Sequence, residues 1–177
     1  MKTQPASEYA LLGALVRGPR HGYEIRSFLR EGLGATWHIP TSQLYAQLKR
    51  LEERGYVASS LESQAARPAK RVFELTHDGR NVFLAWVHAP VRHIRDLRVE
   101  FLAKLFFIRK LGLEGSRLVQ DQDEVLANAL EHMKDRMDRE KDPHRRLSTG
   151  FKHSTAKAWR RWLQDEARPF VEERIET

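Results

Sequence analysis

Residues 41–55, TSQLYAQLKRLEERG, decide the fold of this chain, because they predict one α-helix with a sharp beginning and a sharp end. Pro40 precedes the helix, the hydroxyl of Thr41 or Ser42 is available to cap the first free N–H groups, and Gly55 closes it. An apolar stripe at helical spacing, formed by Leu44, Leu48 and Leu51, predicts its buried face.

The face opposite this stripe is small and polar at first and basic further along. At about 100° per residue, six residues lie on or beside it: Ser42, Gln43, Ala46, Lys49, Arg50 and Glu53. Such a face fits a DNA major groove, since it adds little bulk and carries positive charge toward phosphate. Taken alone, the helix is more typical of an ordinary amphipathic surface helix, so its function depends on its neighbours.

Composition sets broad bounds on the protein. The chain has 177 residues, 41% of them hydrophobic, no cysteine and a formal net charge of +7. No segment approaches the ~18 apolar residues of a membrane span, and the N-terminus lacks a signal-peptide pattern. We therefore expect a cytoplasmic chain without disulfides or membrane anchor, whose basic excess favours a polyanionic partner.

The segments on both sides of residues 41–55 predict a winged helix-turn-helix. Helical periodicity covers residues 7–17 and the stretch from His21-Gly22 to Gly34, and two short strand-like runs follow at 56–61 and 72–75. Thr76 is placed to cap a further helix. The basic loop between the strands carries Arg67, Lys70 and Arg71, which would contact DNA, whereas the plainer alternative is a solvated hairpin tip.

The second half predicts a helical domain. A linker at about 88–93 precedes helices at 95–111 and 116–141 and a last helix that Asp142 caps and Pro169 kinks. The apolar stripes of these helices are broader than one small unit can bury. We therefore expect them to pair with a second copy, the alternative being burial against the winged domain.

The predicted fold class is thus mostly α with a small β-hairpin wing. A winged helix-turn-helix DNA-binding domain would span residues 1–88, and a helical dimerisation domain, with effector sensing as an additional role, would span residues 89–177.

Several stretches together resemble the PadR family of bacterial transcription regulators. They are Leu11-Leu12-Gly13, His21 to Ile25, Ser42 to Tyr45, Leu48 to Glu52, Gly55-Tyr56-Val57, Leu75-Thr76, Gly79-Arg80 and Trp86. The second half is similar to the longer, virulence-activator-like branch. The resemblance implies a homodimer that carries two winged domains to a pseudo-palindromic operator. The sequence departs from the family pattern at Ala46, often proline, and at Phe73, usually tyrosine.

The residues predicted to contact DNA lie on the helix and on the wing. Gln43 can pair with adenine, whereas Lys49 and Arg50 suit phosphate. Tyr45 has two open roles, in packing and in reaching a phosphate, and Tyr23 is expected to pack in the core or between helices. The full predicted set is Thr41, Ser42, Gln43, Tyr45, Lys49, Arg50, Arg67, Lys70 and Arg71.

Three tryptophans, Trp86, Trp159 and Trp162, form a second candidate set. Family relatives bind aromatic or cationic small molecules, and tryptophans suit such pockets. Structural anchoring at a dimer interface explains them as well and is the favoured interpretation. The sequence shows no phosphate loop, GxSxG elbow, cysteine nucleophile or tight histidine grouping, so we expect no catalytic residue, metal or cofactor.

The sequence therefore favours a homodimeric, DNA-binding transcriptional regulator whose partner is double-stranded DNA, with a small aromatic effector as an option. The alternative is a winged-helix protein–protein interaction module without specific DNA readout.

Overall fold

The computed structural model describes residues 5–34, 39–64 and 67–173, apart from the side chains of residues 63–69. The chain divides into two compact units, Met1–Val87 and His88–Thr177. Each unit has its own core.

Within the described residues, the first unit combines helices with a small sheet. Its elements are α1 Ala6–Leu15, β1 Arg20–His21, α2 Gly22–Leu33, α3 Thr41–Glu53, β2 Val57–Gln64, β3 Arg67–Leu75 and α4 His77–His88. This order confirms the predicted fold class, a mostly helical chain with a hairpin wing.

Helix α1 is the centre of this unit, because its apolar residues are almost wholly buried. Ala10, Leu11 and Leu12 are each 0% exposed. The stripe predicted along residues 41–55 is confirmed, since the leucines at positions 44, 48 and 51 of α3 are also buried. Burying such side chains contributes about 1.5–3 kcal/mol each, which fixes the inner face of α3 and leaves its outer face to solvent.

The hairpin wing consists of strands β2 and β3, and with β1 it forms a three-stranded antiparallel sheet in the order β1-β3-β2. Strands β2 and β3 pair from Val57 opposite Leu75 to Leu61 opposite Arg71 and beyond, so the hairpin is longer than the predicted strands. The two-residue strand β1 was not predicted. It places His21 opposite Val72, which ties the start of α2 to the wing.

Helix ends in this unit follow the predicted signals with one exception. Gly55 has φ +74°, and the Thr76 hydroxyl accepts from Gly79 N at 3.0 Å, as its capping role requires. The predicted cap at the start of α3 is wrong, because Pro40 occupies the N-cap position and no side chain caps it. Thr41 is already the first helical residue, and its hydroxyl accepts from Arg26 Nη1 at 2.8 Å.

The second unit is helical throughout its regular elements. These are α5 Ile94–Asp96, a π-helical turn Leu97–Phe101, α6 Leu102–Leu111, α7 Ser116–Arg139, α8 Pro143–Trp162, a π-helical turn Leu163–Ala167 and α9 Arg168–Glu172. The expected cap is present, since Asp142 Oδ1 accepts from Arg145 N at 2.8 Å. The second π-helical turn lies where Pro169 was expected to disturb the helix.

Two buried polar residues hold the linker segment to this unit. The Gln122 amide accepts from Val91 N at 2.6 Å and donates to Val91 O at 3.0 Å. Lys104 Nζ donates to Ala89 O at 2.7 Å. Burial lowers the pKa of Lys104, an effect that the neighbouring Glu100 carboxylate opposes.

The apolar stripe of α7, which we call the α7 seam, is only partly buried within the chain. Leu118 and Leu126 are buried, whereas Met133 and Met137 remain half-exposed. None of the helices in the described ranges is long and apolar enough to cross a membrane.

Candidate nucleic-acid interface

The outer face of α3 is exposed along its length. Ser42, Gln43 and Ala46 are open to solvent, and the Lys49 side chain is 73% exposed. On this face Lys49 Nζ pairs with Glu53 Oε1 at 3.9 Å, a distance typical of a weak surface pair. A polyanion can therefore reach the Lys49 ammonium by displacing this weak contact.

Tyr45 lies on one flank of α3 and packs against the start of α2. A Cβ built on Gly22 would lie 2.6 Å from the Tyr45 hydroxyl oxygen and 2.7 Å from a ring carbon, so the ring needs a glycine there. The side chain is still 46% exposed. The ring of Tyr45 therefore packs against α2, which is one of the two roles that the sequence left open, and contact of its hydroxyl with a phosphate stays a prediction.

Tyr23 does not have the packing role expected from sequence, because it is 56% exposed. Its ring stacks on His21 with centroids 5.5 Å apart, and Lys70 Nζ lies 5.4 Å from its centroid. Local desolvation and then the Glu24 carboxylate raise its pKa, so the hydroxyl stays a donor at neutral pH. Its motif position gave no signal of this exposure.

The three basic residues predicted to act from the wing, Arg67, Lys70 and Arg71, differ in their surroundings. Arg71 Nη2 donates to both oxygens of Glu52 on α3, at 2.9 and 2.6 Å, and Arg71 Nε donates to Ser59 Oγ at 2.7 Å. The Ser59 hydrogen bond and then Arg71 lower the pKa of Glu52. Lys70 lies over Tyr23 instead, and the Arg67 side chain falls outside the described residues. Arg71 thus fastens the wing to α3.

Arg50 is also engaged within the protein. Its Nε donates to Glu8 Oε1 on α1 at 3.0 Å, and the adjacent Gln47 Nε2 donates to Ser7 Oγ at 2.8 Å. These bonds join α3 to α1 on the flank away from Tyr45. Arg50 has a structural role that sequence reasoning missed, and its contact with DNA stays a prediction.

The three tryptophans belong to different units of the chain. Trp86 belongs to the first unit, where it is buried and stacks on Tyr9 with ring centroids 5.0 Å apart. Trp159 and Trp162 lie on α8 in the second unit, 5.4 Å apart and edge to face. With Leu102, Thr155 and Ala158 they line an open apolar groove of about 350 Å³.

No group of three or more histidine, cysteine or carboxylate side chains within the described residues is placed to hold a metal ion.

Comparison with known proteins gives this surface a family context. Residues 11–85 match the profile of the Transcriptional regulator PadR-like family. The chain is 34% identical over 118 residues to the Negative transcriptional regulator PadR of Bacillus subtilis, an alignment that covers 65% of this chain and 64% of that protein. It is 27% identical over 93 residues to a probable transcriptional regulator of Mycobacterium tuberculosis, covering 52% of this chain and 49% of that one.

A solved structure of Bacillus subtilis PadR in complex with operator DNA is similar at 26% identity and a TM-score of 0.46, over 94% of this chain and 99% of that chain. In sequence, the match spans less than two thirds of the length of each curated relative. The likeness to the Transcriptional regulator PadR-like family thus rests on residues 11–85.

Proposed function

We propose that this chain is a sequence-specific DNA-binding transcriptional regulator that acts as a homodimer on a pseudo-palindromic promoter site. The PadR-like domain and the two curated relatives, both transcriptional regulators, support this proposal. The observation that carries it is the open outer face of α3, which is small, polar and basic and has a hairpin wing fastened to its flank. Acting on the chromosome, the regulator would work in the cytoplasm.

The geometry supports a division of labour between α3 and the wing. The outer face of α3 would enter the major groove, where Gln43 and Ser42 meet base edges and Lys49 meets phosphate. The Arg71–Glu52 contact keeps the hairpin at a fixed position beside α3, so that Lys70 would approach the adjacent backbone. Because α3 and the wing are already held in place in the free protein, few side chains would lose conformational freedom on binding DNA.

Helix α8 supports the homodimer. Leu147 and Phe151 are each 74% exposed and lie one helical turn apart, so they form an apolar patch on a helix that is otherwise basic outside. Exposed apolar patches of this kind mark interaction sites. A second copy would cover the patch, and it would also close the half-exposed end of the α7 seam.

The groove beside Trp159 and Trp162 supports a small aromatic effector as a second proposal. Edge-to-face indoles and a largely apolar lining suit a planar ligand. Tryptophan fluorescence measured across a panel of aromatic acids and cations tests this proposal, since a ligand stacked on these rings quenches their emission. A flat response would contradict the effector proposal.

A titration of the chain against its own upstream promoter fragment and a scrambled duplex tests the main proposal. Tighter binding to the promoter fragment is expected, with log affinity falling by about 0.9 per log unit of salt for each phosphate neutralised. Equal, salt-insensitive binding and early elution from heparin would instead support the rival function, a winged-helix protein–protein interaction module.

A further inference from the structure

A buried carboxylate lies under α3 that the proposed function does not use. Glu8 on α1 is 1% exposed, and each of its oxygens accepts a hydrogen bond from an arginine of α3 or its C-terminal end. Arg50 Nε lies 3.0 Å from Oε1, and Arg54 Nη1 lies 2.8 Å from Oε2. Because the arginines are four residues apart, they share one face of the helix and reach the same carboxylate.

This pair of arginines lies on the flank of α3 opposite the wing. At about 100° per residue, Arg50 and Arg54 fall on the same side as Gln43. Tyr45 and Glu52, which contact α2 and β3, fall on the other side. A helix in the major groove has a phosphate backbone on each side, so the wing flank and the arginine flank would face different strands.

The arginine flank is both positively charged and accessible. A buried carboxylate needs a cation, but one arginine is enough to neutralise Glu8, so the second leaves the group with a net charge of +1. The Arg50 and Arg54 side chains remain 44% and 42% exposed. Both guanidinium groups are therefore held from beneath and can be reached from outside.

We propose that Glu8 is a positioning residue that holds Arg50 and Arg54 as a two-armed clamp for a DNA backbone phosphate. This inference rests on the proposed function and adds a second line of backbone contact, opposite the wing. Guanidinium groups held in place lose little rotamer freedom when they meet a phosphate, so each makes a stronger contact than a free side chain would.

The proposal predicts a change in DNA affinity opposite in sign to the change that charge alone would cause. Glu8→Gln removes a negative charge near the DNA, which on charge alone strengthens binding. The clamp predicts weaker binding instead, by roughly 5-fold, because the amide keeps one neutral acceptor oxygen, so that one arginine loses its anchor and the other keeps only a weaker one. Affinity is measured by fluorescence anisotropy on a random-sequence duplex, since phosphate contacts do not depend on base sequence.

Two matched variants separate the clamp from a pure charge effect and from a general loosening of α3 against α1. Glu53→Gln neutralises an exposed acid on the same helix and should tighten binding. Ser7→Ala breaks the neighbouring contact between α1 and α3, from Gln47, without touching the arginines, and should leave affinity unchanged. If Glu8→Gln binds as tightly as Glu53→Gln, or if Ser7→Ala weakens binding to the same degree as Glu8→Gln, the clamp is overturned.

A second pair of variants covers the case in which Glu8→Gln fails to fold. Arg54→Lys keeps the charge but loses the forked geometry, so the clamp predicts that it loses most of the affinity lost by Arg54→Ala. Arg54→Lys binding like the parent chain would overturn the clamp while leaving the DNA-binding function intact. A parent chain that does not bind the duplex at all would instead overturn the proposed function.

Discussion

Two glycines within helices show how differently single residues are constrained. A Cβ built on Gly79 would lie 2.0 Å from the backbone oxygen of Tyr56, whereas the nearest atom to one built on Gly150 is the Met137 sulfur, 3.7 Å away. Gly79 therefore allows α4 to touch the loop after α3. Gly150 only adds backbone freedom to α8.

These contacts predict opposite effects of the same substitution. Gly79→Ala should lower the free energy of unfolding by about 2 kcal/mol or more, since the backbone itself must shift. Gly150→Ala should raise it by about 0.5–1 kcal/mol, because alanine restricts the unfolded chain and favours the helix. Urea unfolding followed by circular dichroism measures both, and equal effects would contradict the close approach at Gly79.

For single residues, the sequence predicted which side chains are exposed to solvent better than it predicted which side chains they contact. Lys49 is exposed as its helical position indicates, because periodicity assigns each residue to a face. The bond from Arg50 to Glu8 spans 42 residues, and no local pattern encodes such a pairing. The exposure of Tyr23 was missed for the same reason, since its surroundings come from β1 and β3.

At the scale of elements, most helix ends and both strands of the hairpin were predicted, whereas the cap of α3, the full length of the hairpin and strand β1 were not. Thr76, Gly55 and Asp142 act through hydrogen bonds or dihedral angles within a few residues of the sequence, so their roles could be predicted. Strand β1 has only two residues, too few for any alternation, and it forms because β3 offers it an edge. The hairpin extends past its predicted ends for a similar reason, since pairing overrides weak propensity.

The contact between wing and α3 carries a pH dependence. The Glu52 pKa is lower in the folded protein, so its contribution is complete above the pKa of an unfolded glutamate, about 4.3, and is lost as the pH falls through the folded value. Glu52→Gln should therefore reduce the free energy of unfolding at pH 7 by roughly 0.5–1 kcal/mol, a value discounted for partial exposure.

The difference between the parent chain and Glu52→Gln should shrink as the pH is lowered below about 4.3. Urea unfolding at several pH values measures it, with Glu53→Gln as the matched exposed control. A difference that stays constant with pH would show that Glu52 does not hold the wing through its charge.

At the scale of the whole molecule, the proposed homodimer is supported by the exposed apolar side chains Leu147 and Phe151 of α8. Phe151→Asp should convert the dimer to a monomer at micromolar concentration, because it places a charge in the apolar patch that a second copy would cover. Leu61→Asp is the matched control, since Leu61 is 73% exposed but lies on the wing. Light scattering that shows a monomer for the parent chain, or a dimer for Phe151→Asp, would contradict the proposal that the apolar patch of α8 forms the dimer interface.

The division into a winged part and a helical part could be predicted because hydrophobic periodicity and turn signals change along the chain. The oligomeric state could not be predicted in this way, since the broad apolar stripes of the C-terminal helices could also be buried within a single chain.

The most direct test of the central claim compares two lysines in a salt titration on the promoter fragment. Lys49 lies on the outer face of α3, and Lys134 is an exposed lysine of α7. Lys49→Ala should weaken binding several-fold and reduce the salt slope by about 0.9, whereas Lys134→Ala should change neither. If the two variants behave alike, α3 is not the helix that meets DNA.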